Sequence, residues 1–389
     1  MEFYERLYHR TRKENVIKTV LNSIREIPVI DNHAHPLLKS GLENEFPFWS
    51  AFSEGYGSGV DFKHVANSLF FLRSIKKLAE FYSCSPDYES ILAARKKYQP
   101  GVIFEKSVKQ GNVKAILIDD GFLPKKSRSI KWHSKFTETR KILRIETEAE
   151  KALLRNNNFD DFIDDYKLTL KKGAVKSAAL KTIIAYRSGL DIESHSAGEL
   201  KISFARAKKS PRLLEKPILD HLVRIAAGLA VEMDIPFQFH TGFGDSDLDL
   251  LKADPLYLKK IIDCPENKGL KIVLLHAGYP FVKNAGWLAS IYPYVYVDCG
   301  LAVPFLSSNG MKNVMSELIE LCPLNKILYS SDAHFIPELY YLGAVSVIET
   351  LAAVFDDCVN SRELTVSEAY KAAYMILYQN SCSLYRLYI

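Results

Sequence analysis

The sequence predicts an α/β protein: a (β/α)₈ barrel of the TIM type with a mostly helical insertion after its first strand. Two observations carry this prediction. Eight short apolar runs of strand character are spread along 389 residues, most of them separated by segments of helical periodicity. That alternation is what parallel strands joined by right-handed crossovers produce. Four of the runs also end in metal-competent side chains, and the C-terminal mouth of a parallel barrel is where strand ends converge.

In chain order, residues 1 to about 25 read as a helix, with Val16, Val20 and Ile24 on one face. The first strand, Ile27-Pro28-Val29-Ile30, leads into Asp31-Asn32-His33-Ala34-His35-Pro36. Side chains at i and i+2 of a strand share a face, so His33 and His35 can present two imidazoles to one point. Residues 37 to about 110 lack strong strand signals and read as an insertion over the barrel mouth. Within it Phe46–Trp49 and Gly55–Gly59 look like loop, and Phe62–Cys84 looks helical.

Strand signals resume at Val113–Ile118, Lys141–Glu146 and Ala178–Ala185, with a helix over Asn158–Lys172. A helix over 212–233 precedes Ile235–Phe239, which ends at His240-Thr241-Gly242. Lys271–Leu275 ends at His276-Ala277-Gly278, Tyr294–Cys299 follows, and Lys326–Ser331 ends at Asp332-Ala333-His334. A barrel of this kind takes about 250 residues and tolerates long insertions. The chain is therefore read as one domain over 1–389, with the insertion at about 37–110.

Composition narrows the function classes. The formal net charge is +5, and clusters such as Lys125–Arg128 and Arg206–Lys209 read as solvated faces. No basic-aromatic stripe supports nucleic-acid binding. The six cysteines form no CxxC pair, which suits reduced thiols in a cytoplasmic protein. No apolar run approaches the roughly 20 residues of a membrane span.

Structural zinc sites are usually cysteine-rich and local in sequence, whereas this set is His/Asp and dispersed over the chain. Such a set leaves a position open for water or substrate, and a bound metal brings the pKa of water from 15.7 toward about 7. His33, His35 and His240 are the candidate nitrogen ligands. Asp332 can ligate while accepting the proton of the attacking water. His276 is either a further ligand or a neutral imidazole acting as acid and electrophile. A lone histidine at a strand end is usually a satisfied core residue; so many at successive strand ends argue otherwise.

With these motifs in hand, the chain resembles the amidohydrolase superfamily, and within it the amidohydrolase 2 branch. It is most similar there to the amidohydrolase module fused to glutamine-synthetase-like domains in fungal and nodulin-like proteins. The pieces that carry the likeness are Asp31–Pro36, Lys141–Glu146, Tyr186–Leu190, Phe239–Gly242, Leu275–Gly278 and Tyr329–His334. The resemblance implies a metal at His33, His35, His240 and Asp332, with His276 as catalytic partner. It departs in lacking a glutamine-synthetase-like part within these 389 residues. Binuclear members carry a carboxylated lysine on the fourth strand, a part Lys181 could play; otherwise it is a junction lysine or a cation for a substrate carboxylate.

Arg187 is the candidate grip on a substrate carboxylate, whereas Arg144 reads as a salt bridge with Glu146 or Asp119. Trp49, Tyr56 and Arg73 could line a lid but are read as packing, Asp119 and Asp120 as turn formers, and His334 as loop. The expected cofactor is one divalent metal ion, zinc first, or two if Lys181 is carboxylated. The expected reaction is metal-dependent cleavage of a C–N (amide) bond in a small carboxylate-bearing substrate. Non-oxidative decarboxylation and lactone or other ester hydrolysis use the same ligand set, and a non-catalytic binding barrel is an alternative of another class. The expected partner is a small molecule, without nucleic acid or membrane, and a homo-oligomer is open.

Overall fold

The structure is a computed structural model that describes residues 20–210 and 212–389; the outer part of the expected N-terminal helix, Val16 included, lies outside the described residues. Eight parallel strands follow one another in a single sheet in chain order. They are β1 (Val29–Ala34), β2 (Val113–Asp119), β3 (Glu138–Arg144) and β4 (Ala179–Thr182). β5 (Phe237–Phe239), β6 (Ile272–Leu274), β7 (Val295–Asp298) and β8 (Ile327–Leu328) complete the set. The strands are buried almost throughout, as parallel strands covered by helices must be.

β8 is only two residues long, yet the barrel nearly closes, because the chain beyond it continues alongside β1. Asn32 N–H donates to Tyr329 O at 3.1 Å, Asp332 N–H to His33 O at 3.1 Å, and His35 N–H to Ala333 O at 2.8 Å. The Asp31 carboxylate pins the same seam by accepting from Ser331 N–H (2.9 Å) and Ser331 Oγ (2.5 Å). The irregular path leaves Asp332 in the left-handed region at φ 51°, a conformation aspartate tolerates better than most residues.

Inside the barrel, Ile30, Leu117, Ile142, Val273 and Leu328 pack with Leu384, Tyr385 and Leu387 from the C-terminal segment. The crossover helices show why they form. Phe159–Ala174 is capped by Asn158, has Asp160 and Asp161 in its first turn and Lys171 and Lys172 in its last, and buries Phe162, Ile163, Tyr166 and Leu170. Cap, charge placement and apolar spacing all favour the same helix.

The segment between β1 and β2 carries turns at Phe48–Phe52 and Glu54–Gly57 and helices at Phe62–Val65, Leu69–Tyr82, Tyr88–Arg95 and Pro100–Gln110. The single helix expected over Phe62–Cys84 is split, because Ser68 caps a new start by accepting from Phe71 N–H at 3.2 Å. Trp49 packs on Phe62, and Arg73 ties the segment to the loop after β7 through Pro304 O (2.5 Å) and Leu306 O (3.1 Å). β3 starts earlier than the expected Lys141, at Glu138, and stops at Arg144, because Ile145 starts a helix and Glu146 enters its first turn. No cysteine is in a disulfide, and among the described residues no helix is long and apolar enough to cross a membrane.

Candidate metal centre

His33 lies within β1 and His35 just beyond it, their ring centroids 5.1 Å apart, on one face as the spacing requires. His33 Nδ1 is 2.9 Å from Gln238 Oε1. The Gln238 amide nitrogen donates to Asn32 O (2.9 Å) and Tyr385 OH (2.8 Å), so its oxygen is the end that faces His33. This assigns the His33 proton to Nδ1 and leaves a lone pair on Nε2, the second-sphere arrangement common for ligating histidines. His35 Nδ1 is likewise 3.3 Å from the Asp119 carbonyl.

The two Nε2 atoms meet one carboxylate oxygen. Asp332 Oδ1 is 3.3 Å from His33 Nε2 and 3.4 Å from His35 Nε2. Burial, with Lys181 next in weight, lowers the His33 pKa to about 3, so the ring is neutral. Burial alone would raise Asp332, but His276, His33 and His35 hold its carboxyl well below the usual range. Two imidazole lone pairs and an ionised carboxylate converge on one small region. Lone pairs do not attract one another; Lys181 Nζ answers the one on His33 Nε2, and a divalent cation would answer all three.

Lys181 on β4 shares that region. Its Nζ donates to His33 Nε2 at 2.8 Å and lies 3.8 Å from Asp119 Oδ2. Burial brings its pKa down to about 8. Asp119, at the end of β2, bonds Gly121 N–H at 2.9 Å as a turn former. It also receives Arg144 through Nε (3.0 and 3.2 Å) and a terminal nitrogen (2.7 Å), so Arg144 is the salt-bridged arginine expected. Glu146 is used otherwise, accepting from Thr182 Oγ1 (2.5 Å) and Ile183 N–H (2.9 Å).

On the opposite side of the mouth stand His240 and His276, ring centroids 4.5 Å apart. His240 Nε2 is 3.1 Å from Phe243 O, and its ring lies 4.4 Å from that of Tyr186. His276 sits in left-handed backbone at φ 66°, with Nδ1 3.3 Å from Gly300 O and Nε2 buried without a partner. Burial lowers its pKa to about 4. Of the four ligands expected, His33, His35 and Asp332 lie with ligand atoms within 4.8 Å of one another; His240 is outside that group, beside His276. A second such triplet, Glu193, His195 and Asp220, is already joined by Lys216 Nζ, 2.6 Å from Asp220 Oδ2.

A cavity of about 260 Å³ opens over these groups. Arg187 reaches it from the turn after β4, giving one terminal nitrogen to Glu150 at 3.2 Å. His334 is in the loop, as expected, with Nδ1 3.1 Å from Asp332 O, and it also lines the cavity. So does Tyr56, which the sequence suggested as packing. Residue types alone did not single out Gln238, Tyr385 or Glu54. Gln238 carried a signal, as the one polar side chain in an apolar strand run.

Comparison with known proteins adds to this geometry. Residues 201–387 match the model of the family described as Amidohydro_2, amidohydrolase. The chain is 32% identical to Protein fluG of Emericella nidulans over 414 aligned positions, covering 94% of this chain and 47% of that protein. It thus spans about half the length of the curated relative it matches. Among solved structures, a Lactobacillus casei protein assigned as a metal-dependent hydrolase superposes with a TM-score of 0.83 at 28% identity, over 93% of this chain and 96% of that one. A uronate isomerase of Thermotoga maritima superposes with a TM-score of 0.67 over 95% and 97% of the two chains, and at 13% identity it shares the fold alone.

Proposed function

The chain belongs to the amidohydrolase family, and on that premise we propose that it is a metal-dependent hydrolase that cleaves the C–N bond of a small, carboxylate-bearing amide. The observation that carries this reading is the meeting of His33 Nε2, His35 Nε2 and Asp332 Oδ1 at the barrel mouth. The donor set fits a divalent cation, zinc first: two imidazoles, each held from behind at Nδ1, and a carboxylate. His240 is the candidate for a further ligand. A divalent metal held there supplies Lewis acidity and eases deprotonation of water near neutral pH.

The chain's own groups supply the rest. Asp332, ionised between two histidines, accepts the proton of the attacking water. His276 donates Nδ1–H to Gly300 O, so its Nε2 begins as an acceptor, takes over the proton that Asp332 removed from water, and passes it to the departing nitrogen. This makes His276 a base first, where the sequence suggested an acid and electrophile. Arg187 keeps Nε and one terminal nitrogen buried and unpartnered toward the cavity, which suits a forked grip on a carboxylate. For His33 Nε2 to hold a metal, Lys181 would have to release its bond there, and Asp119 Oδ2 at 3.8 Å would be the carboxylate nearest to it.

The test is a screen of ω-amides of dicarboxylic acids with zinc-loaded protein, reading amine or ammonia and carbon dioxide in parallel. Metal-dependent release of amine or ammonia is expected. Carbon dioxide release without it replaces the proposal with decarboxylation, and neither product overturns both.

A further inference from the structure

An arginine and a glutamate face the cavity with unanswered atoms. From the turn after β4, Arg187 leaves Nε and one terminal nitrogen buried without an acceptor. From the inserted segment, Glu54 leaves Oε1 shielded from solvent without a donor. Glu54 is fixed in place at the start of a tight turn, where Ser53 Oγ accepts from Gly55 N–H at 2.9 Å. Burial, reinforced by Asp332 and Asp245, pushes its carboxyl up to about 8. Asp245 lines the same cavity, with Oδ1 accepting from Asp247 N–H at 2.9 Å and Oδ2 3.5 Å from the Tyr56 hydroxyl. Arg212 on that rim is paired with Asp247 at 2.9 Å.

A buried carboxyl beside two more acids is costly unless a cation meets it. Among the described residues no group donates to Glu54 Oε1, which leaves a place for a cationic group of a ligand. We propose that the substrate carries an ammonium group as well as a carboxylate, the ammonium seated at Glu54 and Asp245 and the carboxylate at Arg187. This rests on the hydrolase reading above and adds a substrate class to it: amides of amino acids or amino-acid-like acids. The inserted segment, through Glu54 and Tyr56, then acts as a selector for charge.

Calorimetric titration of the zinc-loaded chain tests this with matched probes: 4-aminobutyrate, 4-hydroxybutyrate and butyrate, and the same trios one and two carbons longer. In at least one trio the amino compound is expected to bind about tenfold or more tighter than both partners, the scale of one charge-assisted hydrogen bond. Glu54→Gln, a near-isosteric change checked for retained metal and unfolding midpoint, should bring the amino compound to the level of the hydroxyl compound. The carboxylate-only probe should be unchanged in that variant, and Arg187→Gln should weaken all three. Equal binding of hydroxyl and amino compounds overturns the proposal, since Glu54 then acts as a neutral donor. Absence of binding by every amino compound, or a preference that survives Glu54→Gln, overturns it too. Ammonium preference without amide cleavage removes the reaction proposed above and leaves this inference; cleavage without ammonium preference does the reverse.

Discussion

His133, in the connection between β2 and β3, is buried like His276 and His334 of the mouth, and burial lowers the pKa of all three to about 4. They differ at the second nitrogen. His133 donates from Nδ1 to Ser129 O at 2.9 Å, and its Nε2 accepts from Leu37 N–H at 3.2 Å. Both nitrogens are used, and the ring is a strut that holds the chain leaving β1. In the mouth, His33, His276 and His334 each commit Nδ1 to a protein oxygen and turn Nε2 to the site. Burial and pKa do not tell a site residue from a strut; what the second nitrogen faces does: no partner for His276 and His334, and the Lys181 ammonium and Asp332 for His33.

The largest break of this comparison comes from removing a ligand. Asp332→Asn and His33→Ala should lose the metal and lower activity by about a thousandfold or more, read by elemental analysis and turnover. His276→Gln comes next: the metal stays, and kcat falls by roughly 10²–10⁴ with KM little changed, as for loss of a general base. Gln238→Leu removes the acceptor behind His33 and should weaken metal affinity by about 10–100-fold in a chelator competition. Tyr385→Phe, which removes one of the two anchors of the Gln238 amide, should move the affinity the same way by less.

His133→Gln is expected to leave metal content unchanged and to appear only in stability. The folded pKa of about 4 lies below the ordinary value of 6.5. Between these values the unfolded chain binds the proton more readily, so the stability from the neutral ring is whole above 6.5 and is lost as pH falls toward 4. At about 1.4 kcal/mol per pKa unit, the gap between wild type and variant should shrink by up to about 3 kcal/mol across that window. Denaturant titrations at pH 7.5 and 4.5 measure it.

The barrel was legible in the sequence because each strand is a short apolar run with polar punctuation, and chemistry-bearing residues sit where those runs stop. His33 and His35 were legible as a pair because a period of two is a local rule. What was not legible depends on contacts across the barrel. Lys181 and His33 touch at 2.8 Å across a separation of 148 positions, and no local pattern announces that. Arg144 read as the partner of either Glu146 or Asp119, and only the pairing of neighbouring strands selects Asp119, which is also the turn former expected. Glu54 immediately precedes the glycine-rich Gly55–Gly59 run, which read only as loop, and its part depends on how the insertion folds over the mouth. His240 shows the limit of the strand-end rule: its position was readable, but the direction of its Nε2, set by Phe243 O, was not.

The most direct measurement is the metal content of the purified chain after zinc loading and desalting, for wild type, His33→Ala and His133→Ala side by side. The account predicts about one ion per chain in wild type and in the His133 variant, and none in the His33 variant. Zinc retained by His33→Ala, or taken up by none of the three, would contradict it.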